Sequence, residues 1–186
     1  SDDTDAIERL EIQYGTSLVY PPSSMSAHVS ACPNHQTRRS TPFKTRGDVA
    51  LAGAFGYELD LTKLNDEERE LVRRQVAAYH EYYDVIQNGD YYRLIDPAKS
   101  KGDMTSAAAW ESVSTDKREV LLTYVVIRTQ PSMSRYIRLR GLDPGVTYTD
   151  TESGRSYSGA LLMNAGLNLT GSWRDGESRV WHFVAE

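Results

Sequence analysis

The chain has 186 residues with 21 basic and 26 acidic side chains, which gives a formal net charge of −5 at pH 7. This length suits one large domain or two small ones. An acidic chain without clustered Lys and Arg is not typical of nucleic-acid-binding proteins, and no apolar run approaches the roughly 18–20 residues that a membrane span needs. The single cysteine, Cys32, excludes an internal disulfide and a multi-cysteine zinc site.

The first 60 residues predict a helix, a strand and a second helix. Asp5-Ala6-Ile7-Glu8 has the pattern of a capping box, and apolar residues at helical spacing follow it until Pro21-Pro22. Residues 26–31 predict a short buried strand, and the run from Val49 predicts a helix that ends at Gly53. This order is typical of an α/β layer, but one parallel strand with its helices cannot bury both of its faces.

Residues 65–89 predict a single connecting helix. Asn65 is suited to cap it with Glu68 at the third helical position, and three acids lie in the first turn, where the helix dipole is positive. Gly89 supplies the C-terminal stop. One face is apolar, which predicts packing on a core. That face consists of Leu71, Val72, Val76, Tyr79, Tyr82, Tyr83 and Ile86.

After Asp90 the hydrophobic pattern changes to the period of two that strands show. Turn-forming residues such as Asp143-Pro144-Gly145 separate the segments. Short strands at regular spacing with no helix among them predict an antiparallel β-sandwich. The predicted strands are 91–95, 107–113, 119–127, 135–140, 146–149 and 179–184.

Acidic residues at the start of the chain are the first candidates for chemistry. Asp2, Asp3 and Asp5 precede a helix, which is where catalytic carboxylates lie in α/β barrels. When such a carboxyl group is buried, its pKa rises and it can act as a general acid. Acids before a helix also serve as caps, and capping is the favoured role from the residues alone. A divalent cation is not favoured, because no second acidic cluster completes an oxygen shell.

His28, Cys32 and His35 form a second cluster, which supplies at most three zinc ligands or a Cys-His nucleophile pair. A buried strand whose histidines are satisfied by hydrogen bonds is the favoured interpretation. Tyrosine accounts for 12 of the 18 aromatic residues, and the packing of a half-buried sheet is favoured for them over stacking on sugars.

Several segments match a known family, beginning with a block of the pattern S-D-x-x-D-x-x-x-R. The segments are 1–10, 12–17, 25–30, 33–36, 55–60, 89–94 and 162–167. They resemble glycoside hydrolase family 36, whose best-known members are the large microbial α-galactosidases. The resemblance spans essentially the whole chain and is most specific in the first 60 residues.

The resemblance implies a fold in two parts. Residues 1–89 are expected to form the C-terminal end of a (β/α)8 TIM barrel with its connecting helix. Residues 90–186 are expected to form the antiparallel β-sandwich domain. The implied activity is that of a retaining α-galactosidase, which hydrolyses terminal α-linked galactose from oligosaccharides of the raffinose and melibiose type. The resemblance implies no metal or organic cofactor.

The resemblance also implies roles for individual residues. Asp2 corresponds to the general acid/base, which protonates the departing glycosidic oxygen and then deprotonates the attacking water. Asp3 is implied to contact the substrate or to support Asp2. Asp5 and Arg9 stand four residues apart, which suits a structural ion pair or a cap. His28 and His35 are expected to order the strand and its exit loop.

The sequence departs from the family by lacking two of its motifs. The family's nucleophile lies in a K-W-D motif, and neither that motif nor the Gly-rich C-S-x-G block occurs here. We therefore expect the C-terminal portion of a longer enzyme, preceded by more protein at Ser1 and inactive alone. Its expected partners are the rest of the barrel, an α-galactoside oligosaccharide and further copies of the parent, but not nucleic acid or membrane. A cytoplasmic location is expected, with secretion left open.

Two alternatives remain open at this point. The chain could be a non-catalytic carbohydrate-binding or oligomerisation module, which would need an exposed row of aromatics. Tyr91, Tyr92, Tyr124 and Trp181 are the candidates for that row. Alternatively, the parent could act as an α-N-acetylgalactosaminidase or a galactosyl transferase, a choice made by pocket residues that lie upstream.

Overall fold

A computed structural model of the chain describes residues 3–99, 106–129 and 135–186. The helices are α1 (Ala6–Ser17), α2 (Phe43–Ala50), α3 (Asp66–Glu81), α4 (Tyr83–Asn88) and α5 (Gly159–Asn164). The strands are β1 (Ser26–Ser30), β2 (Ala54–Glu58), β3 (Asp90–Ile95), β4 (Ser106–Val113), β5 (Glu119–Arg128), β6 (Tyr136–Ile137), β7 (Thr147–Asp150), β8 (Ser156–Ser158), β9 (Leu167–Asn168) and β10 (Ser178–Ala185). Among the described residues, no helix has the length and apolar character needed to cross a membrane.

The first part of the chain is built on two parallel strands. β1 lies beside β2, in register from Ser26 opposite Ala54 to Ser30 opposite Glu58, and α2 connects them. The face toward the helices buries Ala27 and Val29 against α2. The α/β layer is thus confirmed, whereas β2 was not predicted as a strand because its two nearby glycines suggested a break. Gly56 instead lies inside β2, where an added Cβ would come within 3.0 Å of the His28 ring.

The predicted connecting helix is two helices. The capping box at its start is confirmed, since the Asn65 side chain accepts the Glu68 amide and Glu68 accepts the Asn65 amide. Tyr82 leaves helical geometry at ψ 5° and separates α3 from α4. After the break, Val85 and Ile86 of α4 are buried against the β domain, whereas α3 has no fully buried residue.

The second part is a six-stranded antiparallel sheet in the order β3-β4-β5-β10-β7-β8. A thinner layer covers one face and consists of the two-stranded ribbon β6-β9 together with α5. The antiparallel β domain is therefore confirmed. The largest fully buried side chains between the two layers are Tyr124, Tyr148, Phe183, Leu122, Leu139 and Leu162.

Details of this second layer differ from the sequence prediction. The segment 135–140 pairs only at Tyr136–Ile137, and β8, β9 and α5 were not predicted. Helix α5 has six residues, and the Ser158 hydroxyl caps it by accepting the Leu161 amide. A helix of this length is too short to display a 3.6-residue period, so its formation depends on packing Leu162 into the core.

The opposite face of the large sheet packs on the first part of the chain. Ala6, Leu10 and Val49 contact Trp110 and Val125 there. Because both faces are covered, every residue of β4 is buried and its sequence lacks the alternation of a half-exposed strand. A buried polar cluster also crosses this junction. In it, Asp48 Oδ2 accepts the Ser178 hydroxyl at 2.6 Å and Lys44 Nζ at 2.5 Å.

Candidate active site

Asp5 caps α1 and is almost fully buried. Its Oδ1 accepts the amides of Ile7 and Glu8 at 2.8 and 3.2 Å, while its Oδ2 accepts the Thr37 hydroxyl at 2.5 Å. The capping role is confirmed. The reciprocal half of the capping box is wrong, because Asp3 Oδ1 rather than Glu8 accepts the Asp5 amide at 2.9 Å.

Arg39 is the ion-pair partner of Asp5. Its guanidinium contacts Asp5 Oδ1 at 2.5 Å and Glu8 Oε1 at 3.2 Å. Burial acts to raise the pKa of Asp5, but hydrogen bonds from Thr37, the two helix amides and Arg39 outweigh it and lower that pKa. Asp5 is therefore ionised at neutral pH, which suits a structural anion and not a general acid.

Arg9 does not pair with Asp5, so that expected ion pair is wrong. Its Nη2 donates to the Ser26 carbonyl at 2.7 Å, and its Nε lies 3.4 Å from Gln13 Oε1. Burial lowers the pKa of the Arg9 guanidinium, and the negative charges of Asp3 and Glu58 oppose that shift. Arg9 thus connects α1 to the start of β1.

Thr4 is held by the loop that follows β1. The Ser30 hydroxyl donates to the Thr4 carbonyl at 2.7 Å, Asn34 Nδ2 donates to Thr4 Oγ1 at 3.0 Å, and the Thr4 amide donates to Gln36 Oε1 at 3.2 Å. Ser30 is the last residue of β1, so Thr4 and the acids on either side of it, Asp3 and Asp5, lie at the carboxyl end of this strand. That is the edge at which α/β barrels place their catalytic groups.

Asn34 organises this loop from within. Its side chain is buried, and its Oδ1 accepts the amides of Gln36 and Thr37 at 2.8 and 3.0 Å. Its own amide donates to the Arg39 carbonyl, and its carbonyl accepts the Arg38 amide. Sequence reasoning gave Asn34 no role, although the Pro33-Asn34-His35-Gln36 motif that carried part of the resemblance contains it.

Of the two acids with an implied catalytic role, Asp2 and Asp3, the structure describes only Asp3. Asp2, the implied acid/base, lies outside the described residues. Asp3 is half-buried, and one of its oxygens is occupied by the Asp5 amide. Its role as a substrate contact stays a prediction.

The face of the parallel pair that points away from α2 and α3 is polar. His28 lies on this exposed side, and its Nδ1 is 3.5 Å from Glu58 Oε2 at the end of β2. The expected buried setting of His28 is therefore wrong, and Cys32 and His35 are also exposed. Among residues 3–99, 106–129 and 135–186, no three His, Cys, Asp or Glu side chains come together in a group that could hold a metal ion.

The aromatic candidates for sugar stacking do not form an exposed row. Tyr124 is fully buried, and Trp181 is 5% exposed beneath the Arg179 guanidinium, which lies 4.9 Å from its ring centroid. Tyr91 and Tyr92 are half-buried in β3. Their positions fit the packing role that the strand pattern favoured.

The architecture is that of the end of a (β/α)8 barrel joined to an antiparallel β domain. A family model described as Melibiase matches residues 1–89, and one described as the glycosyl hydrolase family 36 C-terminal domain matches residues 107–183. The chain belongs to glycoside hydrolase family 36.

Two curated relatives show how much of such proteins the chain represents. It is 49% identical over 170 residues to the bifunctional alpha-galactosidase/sucrose kinase AgaSK of Mediterraneibacter gnavus, a match covering 91% of the chain and 18% of the relative. It is 45% identical over 186 residues to the alpha-galactosidase AgaA of Geobacillus stearothermophilus, covering 100% of the chain and 25% of the relative. The chain thus spans a quarter or less of their length.

Solved structures agree with the fold. The crystal structure of AgaA from Geobacillus stearothermophilus superimposes with a TM-score of 0.94 at 45% identity, covering 100% of this chain and 25% of that one. Variants of AgaA have been crystallised in complex with raffinose and with stachyose, and they superimpose with TM-scores of 0.94 and 0.93 at 44% and 45% identity, with the same coverage.

Proposed function

We propose that this chain is the C-terminal portion of a retaining α-galactosidase that hydrolyses terminal α-linked galactose from oligosaccharides. The observation that carries the proposal is the 45% identity to AgaA over the entire chain, together with the complexes of that protein with raffinose and stachyose. We place the boundary between the barrel end and the β domain at residues 89 and 90.

The proposed reaction needs two carboxyl groups about 5–5.5 Å apart. Asp2 is the proposed acid/base. In the first step it gives its proton to the glycosidic oxygen while a nucleophile from the upstream barrel attacks the anomeric carbon. In the second step the Asp2 carboxylate takes a proton from water as the water oxygen attacks the anomeric carbon. The bond between the sugar and the nucleophile breaks, and Asp2 is again protonated. The net configuration at the anomeric carbon is retained.

The position of the N-terminal segment supports this assignment. Thr4, two residues after Asp2, is bonded to Ser30 at the carboxyl end of β1. Glu58 ends β2 at the same edge because the two strands are parallel. A sugar bound at this edge would therefore meet the acidic segment and the loops that follow both strands, as it does in barrels of this kind.

The proposal is tested with the full-length parent protein. The parent should release galactose from raffinose and nitrophenol from nitrophenyl α-galactoside, and proton NMR should show α-galactose as the first product. The 186-residue chain alone should release none, since it carries no K-W-D motif. A first product of β configuration, or faster turnover of nitrophenyl α-N-acetylgalactosaminide than of the galactoside, would contradict the proposal.

Replacement of the proposed acid/base gives a second test. Asp2→Asn in the parent should reduce kcat/KM for raffinose by about 10²–10⁴-fold, the range of general acid catalysis. The matched change Asp66→Asn, at an exposed position of α3, should leave kcat/KM unchanged within about twofold. Full activity in Asp2→Asn would remove this residue from the mechanism.

A further inference from the structure

Beyond the acidic residues themselves, we infer that Ser30 and Asn34 are positioning residues that fix the acid-bearing segment of the active site through Thr4. This inference rests on the proposed function, because it assigns to the two side chains an effect on the proton transfer performed by Asp2. Neither side chain is proposed to touch the substrate.

The first support is the completeness of the contacts at Thr4. Its carbonyl accepts from Ser30, the last residue of β1, at 2.7 Å, and its amide and hydroxyl bond to Gln36 and Asn34 of the following loop at 3.2 and 3.0 Å. Two of the three partners, Ser30 and Asn34, are about 95% buried, so water competes little for these bonds. A residue bonded through its backbone on both sides and through its side chain has little freedom to rotate.

The second support is the rigidity of the partner loop. Asn34 makes four hydrogen bonds to the backbone of residues 36–39, two through its side chain and two through its own backbone. Arg39, at the end of the loop, forms ion pairs with Asp5 and Glu8. The loop therefore contacts the N-terminal segment at Thr4, at the cap residue Asp5 and at Glu8 in the first turn of α1.

Covalent geometry carries this constraint to Asp2. Asp2 precedes Thr4 by two residues in the sequence, and the residue between them, Asp3, accepts the Asp5 amide at 2.9 Å. General acid catalysis needs the carboxyl group within hydrogen-bond reach of the leaving oxygen, and a displacement of about 1 Å can cost about 10²-fold in rate. Loss of the bonds at Thr4 should therefore impair proton transfer more than it impairs the fold.

The test separates proton transfer from general damage by means of the leaving group. Raffinose has a poor leaving group that needs protonation, whereas dinitrophenolate leaves with little acid help. In the full-length parent, Asn34→Ala and Ser30→Ala should each lower kcat/KM for raffinose by about 10–100-fold. They should change kcat/KM for dinitrophenyl α-galactoside by less than about threefold, because that constant reports the first step alone.

Azide supplies an independent readout. Azide attacks the galactosyl-enzyme without base catalysis, so it should raise kcat of both variants on the dinitrophenyl substrate and yield galactosyl azide. The matched controls are Asn88→Ala and Ser24→Ala, exposed residues of the same types outside this network, and they should behave as the unsubstituted enzyme.

A variant that leaves Ser30 and Asn34 in place distinguishes loss of the bonds at Thr4 from a folding defect of the loop. Thr4→Val removes only the hydroxyl that accepts from Asn34, and it should reproduce the selective loss, while Thr4→Ser should restore most of the activity. Equal loss on both substrates, or no loss on either, would overturn the inference. If the unsubstituted parent hydrolyses neither galactoside, the proposed function itself fails, which is a different result from a variant that loses both activities equally.

Discussion

Glu111 in β4 is a buried carboxyl group in the core of the β domain, and its ionisation should make the stability of this domain depend on pH. Its side chain is fully buried, Oε1 accepts the Arg140 amide at 2.6 Å, and Oε2 has no hydrogen-bond partner among the described residues. Burial raises the pKa of Glu111 from an ordinary 4.5 to about 8, against the opposing influence of Arg140.

The sign and size of this pH dependence follow from the linkage between protonation of Glu111 and folding. Because the folded pKa lies above the unfolded one, the folded state retains a proton that the unfolded chain loses between pH 4.5 and pH 8. Stability therefore falls as pH rises through this window and levels off above pH 8. With these two pKa values, the loss between pH 5 and pH 8 is on the order of 3–4 kcal/mol. Glu111→Gln keeps an acceptor for the Arg140 amide but cannot ionise, so it should not show this loss.

Urea denaturation at pH 5, 6, 7 and 8, followed by tryptophan fluorescence, measures the effect. All three tryptophans, Trp110, Trp173 and Trp181, lie in the β domain, so the signal reports its unfolding. The difference in unfolding free energy between Glu111→Gln and the unsubstituted chain should grow with pH by on the order of 3–4 kcal/mol. Glu67→Gln, at an exposed position of α3, controls for removal of a carboxylate. A difference that stays constant from pH 5 to pH 8 would refute the reasoning.

Three further predictions concern folding. Arg39→Ala should lower the free energy of unfolding by about 1–3 kcal/mol at pH 7, because it leaves the buried carboxylate of Asp5 without its counter-charge. The folded-state pKa of Asp5 lies below its ordinary value of 3.8, so the ionised carboxylate stabilises the fold above pH 3.8 and this stabilisation is lost as pH falls through the folded pKa. The cost of Arg39→Ala should therefore shrink in urea titrations near pH 3. Gly159→Ala should lower Tm markedly because its Cβ would lie 2.0 Å from the Asp143 carbonyl oxygen, whereas Gly171→Ala, with no heavy atom within 4 Å, should leave Tm nearly unchanged; equal Tm values would contradict this. Leu162→Ala should cost about 2–5 kcal/mol in urea unfolding because it opens a cavity in the core, and a cost below about 1 kcal/mol would mean that the core closes around it.

Much of the fold could be predicted because many of its signals are local. The Asn65 and Glu68 capping box joins residues three apart, and its pattern is visible in the sequence. The strand-like segments after Asp90 and the turn-forming residues between them located β3, β4, β5 and β10 within one or two residues of their observed bounds, although β4 does not alternate. β2 and α5 were missed because their local signals are weak: the glycines near β2 suggested a break, and α5 is too short to show a helical period. β2 is stabilised by pairing with β1, and α5 by burial of Leu162.

The candidate site shows the same division. The acidic block before the first helix, the cap at Asp5 and the family resemblance could be predicted, since they depend on residue types at fixed spacing. The pairing of Asp5 with Arg39 instead of Arg9, and the bonds of Ser30 and Asn34 to Thr4, became visible only in the folded chain. Those partners lie 26 to 34 residues apart along the chain, and packing of the loop against the helix brings them together. A local pattern contains no information on such distant contacts, because they form only when the strand ends and the helix starts are placed side by side.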